Sequence, residues 1–318
     1  MESAGFQHRA LVYEGADEYL AGTVPFLWAA LEAEEPALVA VSQAKTELLE
    51  AALGGDAGWV HFVPMEEVGH NPASIIPLWR NFVDENDGGP MRGIGEPIWD
   101  GRSSAALEEC HRHEALLNFA FASDPVFSLL CPYDSGSLPA DVVERVAVSH
   151  RHFERQGRAG ESAAFDSAVD CLAGELPPPA PASEVLTFDL ADLAEVRGRV
   201  ARAARAAGMD RRGVADLVIA TSELAANSVM HGGGTGTLRL WSDRRTLLVE
   251  VEDRGRIEDP LVGRRRPGIS QEGGRGLWLA NQLCDLVQIR SGEGGTVVRL
   301  HVHVGHRSSP KPLSSAAL

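Results

Sequence analysis

A chain of 318 residues, 44% hydrophobic and 23% charged, is long enough for two ordinary cores and too apolar to be disordered. Its formal net charge of −16 and pI near 5.1 argue against a general nucleic-acid-binding surface, because an acidic surface repels phosphates. No apolar run approaches the roughly 20 residues that span a bilayer. The amino terminus lacks a secretory pattern, and Cys110, Cys131, Cys171 and Cys284 form no C-x-x-C pair, so the expected compartment is the reducing cytoplasm.

In chain order, the first half alternates short β-forming runs with helical periodicity. Strands are predicted at 10–13, 37–41, 60–63 and 127–130, and helices at 16–33, 43–53, 72–86, 103–121 and 139–153. That alternation predicts an α/β domain with a mainly parallel sheet, covered on both faces. The turn after the first strand, Glu14-Gly15-Ala16-Asp17, lacks G-x-x-x-x-G-K-S/T, so a P-loop-like sheet here would have no Walker A cradle. Trp79 and Trp99 read as core residues. The proline-rich stretch 174–183 predicts a stiff, extended linker. The expected division is a domain over 1–173, the linker, a second domain over 184–306 and a polar tail over 307–318.

The second half predicts helices at 192–207, 211–231 and near 275–284, and strands at 237–242, 246–253, 286–291 and 295–304. Hairpins with segregated helices predict an α+β two-layer sandwich. His301 and His303 alternate on one strand face and read as a solvated edge.

Three motifs in this half carry chemistry. Glu223, Asn227 and His231 recur every four residues, so a helix stacks them on one face. A carboxylate and an amide oxygen one turn apart suit a hard cation, although a plain polar face has the same pattern. The strand 249–252 runs into Asp253-Arg254-Gly255, leaving a carboxylate able to accept from an exocyclic amine; an ordinary turn has that form too. Gly273-Gly274-Arg275-Gly276-Leu277 opens a helix whose amides would face a triphosphate. Gly294-Gly295-Thr296 leads the last strand.

Taken in order over 186–304, these pieces resemble the N, G1 and G2 boxes of GHKL (Bergerat-type) ATPases. The resemblance implies ATP and Mg2+ as cofactors. It puts Asn227 on the metal, Asp253 on the adenine amine, Gly255 beside the base, and Gly274, Gly276 and Leu277 at the phosphates. Thr296 would sit near the adenine-binding aspartate. The interval from Asp253 to the glycines is short, and Ile257 stands where the second glycine of D-x-G-x-G is usual. That form is similar to the anti-sigma-factor serine kinases, which implies Glu223 as general base for a partner's serine hydroxyl. The implied partners are a STAS-type anti-sigma antagonist and a sigma factor. A histidine-kinase-like transducer is disfavoured, because no phosphoacceptor helix pair precedes the module and the nearest histidines, His150 and His152, lie in Ser-His-Arg-His-Phe. A catalytically silent ATP-binding scaffold is the third reading.

The first half resembles MEDS sensory domains through His8–Tyr13, Val68–Pro72, Arg92–Trp99, Cys110–Asn118 and Cys131–Asp134. The resemblance implies a P-loop-derived sheet without ATPase chemistry, sensing a small molecule or protein signal. His8, Glu96, His113, Glu114, Cys131, Tyr133 and Asp134 fall near strand ends or on one helix and form the candidate sensor site. Among them His8, His113 and Cys131 are the candidate metal ligands, although their spacing matches no recognised zinc pattern.

Overall fold

A computed structural model of the chain describes residues 5–86, 89–123, 127–166, 170–176, 181–243, 245–268 and 274–305. Part of the proline-rich linker, Gly273 and the predicted tail lie outside the described residues. The chain divides into two compact units, 1–171 and 172–318. No helix among the described residues is long and apolar enough to cross a membrane.

The first unit runs β1 (Gln7–Tyr13), α1 (Gly15–Glu32), β2 (Ala37–Val41), α2 (Gln43–Leu53), β3 (Val60–Pro64), α3 (Met65–Val68), α4 (Ile75–Glu85), β4 (Met91–Gly95), α5 (Ser104–Ala120), β5 (Phe127–Asp134), α6 (Ala140–Ser149), β6 (His152–Arg155) and β7 (Arg158–Glu161). Strand order is β3-β2-β4-β5-β1-β6-β7, and every neighbouring pair is parallel except the β6–β7 hairpin. β2 is buried along its whole length, which is why Ala37-Leu-Val-Ala-Val41 carries no polar alternation. One core joins Leu11, Tyr19, Leu27, Val39, Leu49 and Ile94. Elsewhere Phe121 and Trp79 meet Phe127 with ring centroids 5.4 and 5.8 Å apart. A Cβ on Gly93 or Gly95 would fall 2.8 Å from the indole of Trp79, so β4 needs glycine there. Those two glycines remove the β-forming signal of β4, and no strand is predicted at 91–95 for that reason. The helix predicted over 139–153 ends at Ser149, and β6 begins at His152.

The second unit runs β8 (Glu184–Phe188), α7 (Leu193–Ala206), α8 (Arg211–His231), β9 (Gly236–Asp243), β10 (Thr246–Asp253), α9 (Arg275–Leu283), β11 (Leu286–Gly292) and β12 (Gly295–His303). The sheet order is β11-β12-β10-β9-β8, antiparallel throughout. Val249 and Val251 of β10 join Leu217, Leu224, Leu238 and Leu300 in one core. Between them Glu250 points the other way, opposite Arg239 of β9 and Arg299 of β12. Its carboxylate accepts from Arg239 at 3.0 Å and from Arg299 at 2.6 and 2.9 Å, so the sheet carries an ion-paired ladder across three strands. The strand bearing His301 and His303 is interior, not an edge: β12 lies between β11 and β10, and His301 Nε2 is 2.8 Å from Gln288 Oε1.

Candidate functional site

In the second unit, α8 is held at its start by Asp210, whose side chain accepts from the Gly213 amide at 2.7 Å. Val214, Leu217, Thr221, Leu224, Ala225 and Ser228 form its buried stripe, at the spacing of an amphipathic helix. Glu223 and Asn227 lie half-buried at its border, whereas His231, the last helical residue, is exposed. The next helix comes close to that border. A Cβ added to Gly276 would lie 3.0 Å from Asn227 Nδ2 and 3.2 Å from Glu223 Oε2, so glycine lets the first turn of α9 meet both polar groups. Gly274, the N-cap of α9, has φ of 76° and offers no side-chain cap, which leaves first-turn amides directed outward. Leu277, just behind, is buried in the core.

Asp253 ends β10 beside the end of α8. Ser228 Oγ donates to its Oδ2 at 2.6 Å and the Gly255 amide donates to Oδ1 at 2.7 Å, so the carboxylate is fixed from both sides. Each oxygen keeps a second lone pair for an incoming donor. Thr296 sits opposite Asp253 in the β10–β12 register and donates to the Gly255 carbonyl at 2.8 Å. Ser291 Oγ touches Thr296 Oγ1 at 2.8 Å and accepts from the Ile257 amide at 2.8 Å. The Asp-x-Gly turn is thereby pinned to the last hairpin. Glycine is demanded on both sides of Asp253: a Cβ on Gly232 would be 2.4 Å from its Cγ, and one on Gly295, at φ of 116°, 2.1 Å from its backbone oxygen. Ser228 and Ser291 are not among the residues expected at the site; they act on Asp253 and its turn through contacts 25 and 34 positions apart in the chain, which local pattern does not report.

In the first unit six of the seven candidate sensor residues divide between two places, and His113 belongs to neither. Glu96, just past β4, and Asp134, the last residue of β5, belong to the carboxyl ends of the strands. Tyr13 donates to Glu96 Oε1 at 3.0 Å, Lys45 pairs with the same oxygen, and the Lys45 ammonium lies 5.2 Å from the Tyr13 ring centre. Burial raises the Glu96 carboxyl to about 7, even though Lys45 and Tyr13 act to lower it. Glu14 stands beside Gly136 at this end, where a P-loop would need cations.

His8, Glu114, Cys131 and Tyr133 lie elsewhere, with His150 among them. His8 Nε2 is 3.0 Å from Glu114 Oε2 and 3.3 Å from Cys131 Sγ, and His150 Nε2 is 3.3 Å from Glu114 Oε2. Tyr133 meets the His150 ring edge-on at 5.6 Å. His113 is buried but does not belong to the group, because the residue before Glu114 on α5 points about 100° around the helix. The expected ligand trio of His8, His113 and Cys131 is therefore corrected to His8, Glu114, Cys131 and His150. Trp79 is core, with 1% of its surface exposed, and Trp99 is half-buried beneath the Arg102 guanidinium at 3.4 Å.

Comparison with known proteins assigns both halves. Residues 7–151 match the MEDS family, the MEthanogen/methylotroph, DcmR Sensory domain. Residues 186–302 match the histidine kinase-like ATPase domain. No curated protein sequence matches the chain. Among solved structures it is similar to the crystal structure of the RsbU and RsbW domains of Rv1364c from Mycobacterium tuberculosis, at 23% identity and a TM-score of 0.30. That similarity covers 39% of this chain and 34% of the other. The protein thus joins a MEDS sensory domain over 7–151 to a histidine kinase-like ATPase domain over 186–302.

Proposed function

We propose that this protein is a sensor-regulated, ATP-dependent protein-serine kinase that controls a sigma factor by partner switching. An ATPase domain implies ATP binding, and glycine at 232, 255 and 276 lets the end of α8, the Asp253 turn and the start of α9 approach one another. The observation that carries the reading is the meeting of Glu223, Asn227 and Gly276, with the doubly anchored Asp253 at the end of the same helix.

In this reading Asp253 accepts from the adenine amine and Gly255 lies beside the base. Thr296 steadies their turn, the α9 start at Gly274, Gly276 and Leu277 receives phosphate, and Asn227 would hold Mg2+. Bound Mg-ATP supplies a transferable γ-phosphoryl group. Glu223, half-buried and one helical turn before Asn227, takes the proton of a partner's serine hydroxyl. The single-glycine turn with Ile257 and the short interval before α9 favour the anti-sigma-factor kinases, and by that resemblance the substrate is a STAS-type antagonist. Two observations disfavour a histidine-kinase-like transmitter: His150 is fully buried, and His152 belongs to β6 rather than to a helical hairpin.

The test incubates the protein with γ-labelled Mg-ATP and a lysate of its source cells, beside Glu223→Ala and Asp253→Asn. Acid-stable label on a small protein is expected. It should fall by roughly two to four orders of magnitude in Glu223→Ala, which still binds nucleotide, and vanish with binding in Asp253→Asn. Acid-labile label on the chain itself would move the assignment to a histidine kinase. Nucleotide binding without any transfer would leave an ATP-dependent scaffold.

A further inference from the structure

We propose that His8, Glu114, Cys131 and His150 form a binding site for a borderline-soft divalent transition-metal ion, Zn2+ being the best match, inside the MEDS domain. The proposal is independent of the kinase reading, since all four residues lie in the first unit.

Four elements converge on this point: β1 brings His8, α5 brings Glu114, β5 brings Cys131, and the end of α6 brings His150. One donor atom from each lies within 4.8 Å of the others, and all four residues are buried. A tetrahedral ion with bonds of about 2.0–2.3 Å separates neighbouring ligand atoms by about 3.3–3.6 Å. Three of the six separations, at 3.0, 3.3 and 3.3 Å, lie within a few tenths of an ångström of that spacing.

The outer contacts orient both imidazoles for this task. His8 Nδ1 is 3.2 Å from Asn118 Oδ1, and His150 Nδ1 is 3.0 Å from the Val146 carbonyl. A proton on each Nδ1 satisfies those acceptors and turns the Nε2 lone pairs inward, toward the carboxylate and the sulfur. Asn118 is itself fixed, donating to the Ser149 carbonyl at 2.8 Å. The result is a set of electron pairs facing one another in a dry interior. His150 Nε2 makes no hydrogen bond there, although it lies 3.3 Å from Glu114 Oε2. Such an arrangement calls for a central cation.

Charge and protonation agree with a metal. A metal binds the thiolate, so binding displaces the Cys131 thiol proton. One carboxylate, one thiolate, two neutral imidazoles and a dication sum to zero, the charge most easily buried. Nitrogen, sulfur and oxygen together select zinc, or cobalt as its substitute, over Mg2+ or Ca2+.

The experiment measures metal in the full-length protein and then titrates the metal-stripped chain with Co2+. About one equivalent of bound ion per chain is expected, with tetrahedral visible bands and a thiolate-to-cobalt band in the near ultraviolet. Cys131→Ser should lose the thiolate band, and Cys284→Ser should keep it. Asn118→Ala, which leaves all four ligands in place, should weaken binding by about 10- to 100-fold. X-ray absorption of the zinc-loaded wild type needs no variant: one sulfur with three nitrogen or oxygen neighbours supports the site. A shell without sulfur, a thiolate band that survives in Cys131→Ser, or a folded wild type that takes up no Co2+ would overturn it and leave a proton-sharing network in its place.

Discussion

Glu96 is held between a cation that favours its ionised form and a burial that opposes it. Lys45 and Tyr13 both bind its Oε1, but only 3% of the residue is exposed, and the carboxyl is raised from 4.5 to about 7. Between those values the folded state binds the proton more readily than the unfolded chain does, so this residue's contribution to stability falls as pH rises. His8 has the opposite sign: lowered from 6.5 to about 4, its contribution grows with pH across that window. The two trends overlap in the wild type, and a difference measurement separates them. Stability of Glu96→Gln minus that of wild type is expected to increase from pH 5 to pH 8, by up to on the order of 3 kcal/mol. Urea midpoints at several pH values give this difference, and a constant offset would refute the assignment.

Helix α8 shows how one element serves both core and site. Its buried stripe runs from Val214 to Ala225 with the Thr221 hydroxyl turned back onto the Leu217 carbonyl, and Ser228 ends that stripe with a hydroxyl directed at Asp253. The chain then passes Gly232, the C-cap, and the Gly232 carbonyl accepts from the Arg254 amide at 3.1 Å. Helix end and strand end are therefore in direct contact through a residue without a side chain. Gly232→Ala drives a methyl into Asp253, because the clash is with the root of a short, doubly anchored side chain that has nowhere to move. A cost of about 1–3 kcal/mol is expected, together with weaker nucleotide binding. Gly294→Ala, where nothing lies within 4 Å, should stay within about 0.5 kcal/mol. Equal denaturation midpoints for the two variants would contradict the packing argument.

At the scale of the whole molecule, each unit has its own sheet and its own core. Leu172 belongs to the second core and its carbonyl accepts from Ser291 at 2.9 Å, while Leu176 accepts from Arg299 at 3.1 Å. The strand ladder and the proposed nucleotide residues all lie after this point. A chain of residues 172–318 is accordingly expected to unfold in one cooperative step and to bind nucleotide. Tryptophan fluorescence and circular dichroism followed through the same urea series test this, with Trp241 and Trp278 as reporters. Non-coincident transitions, or loss of binding in a folded fragment, would show that the second unit depends on the first.

The legible part of this protein is local. Every fourth residue from Glu223 to His231 shares a helix face by the geometry of the helix alone, and the α8 and β10 limits of 211–231 and 246–253 match the prediction. Alternation of strands and helices in the first half likewise announced a parallel sheet. Periodicity failed where pairing competed with it. The apolar pattern of 139–153 continues past Ser149, but parallel pairing of β6 with β1 draws residues from His152 onward into the sheet and leaves His150 facing inward. Glu114 and Cys131 stand 106 and 123 positions from His8 in the chain, and the sequence around His150 suggests only a phosphoacceptor. Spacing in one dimension cannot report such a meeting. Helix period and turn chemistry are properties of neighbouring residues and were readable from the sequence; the Asp253 anchors and the buried His–Glu–Cys–His cluster exist only because sheet register brings distant strands and helices within bonding distance.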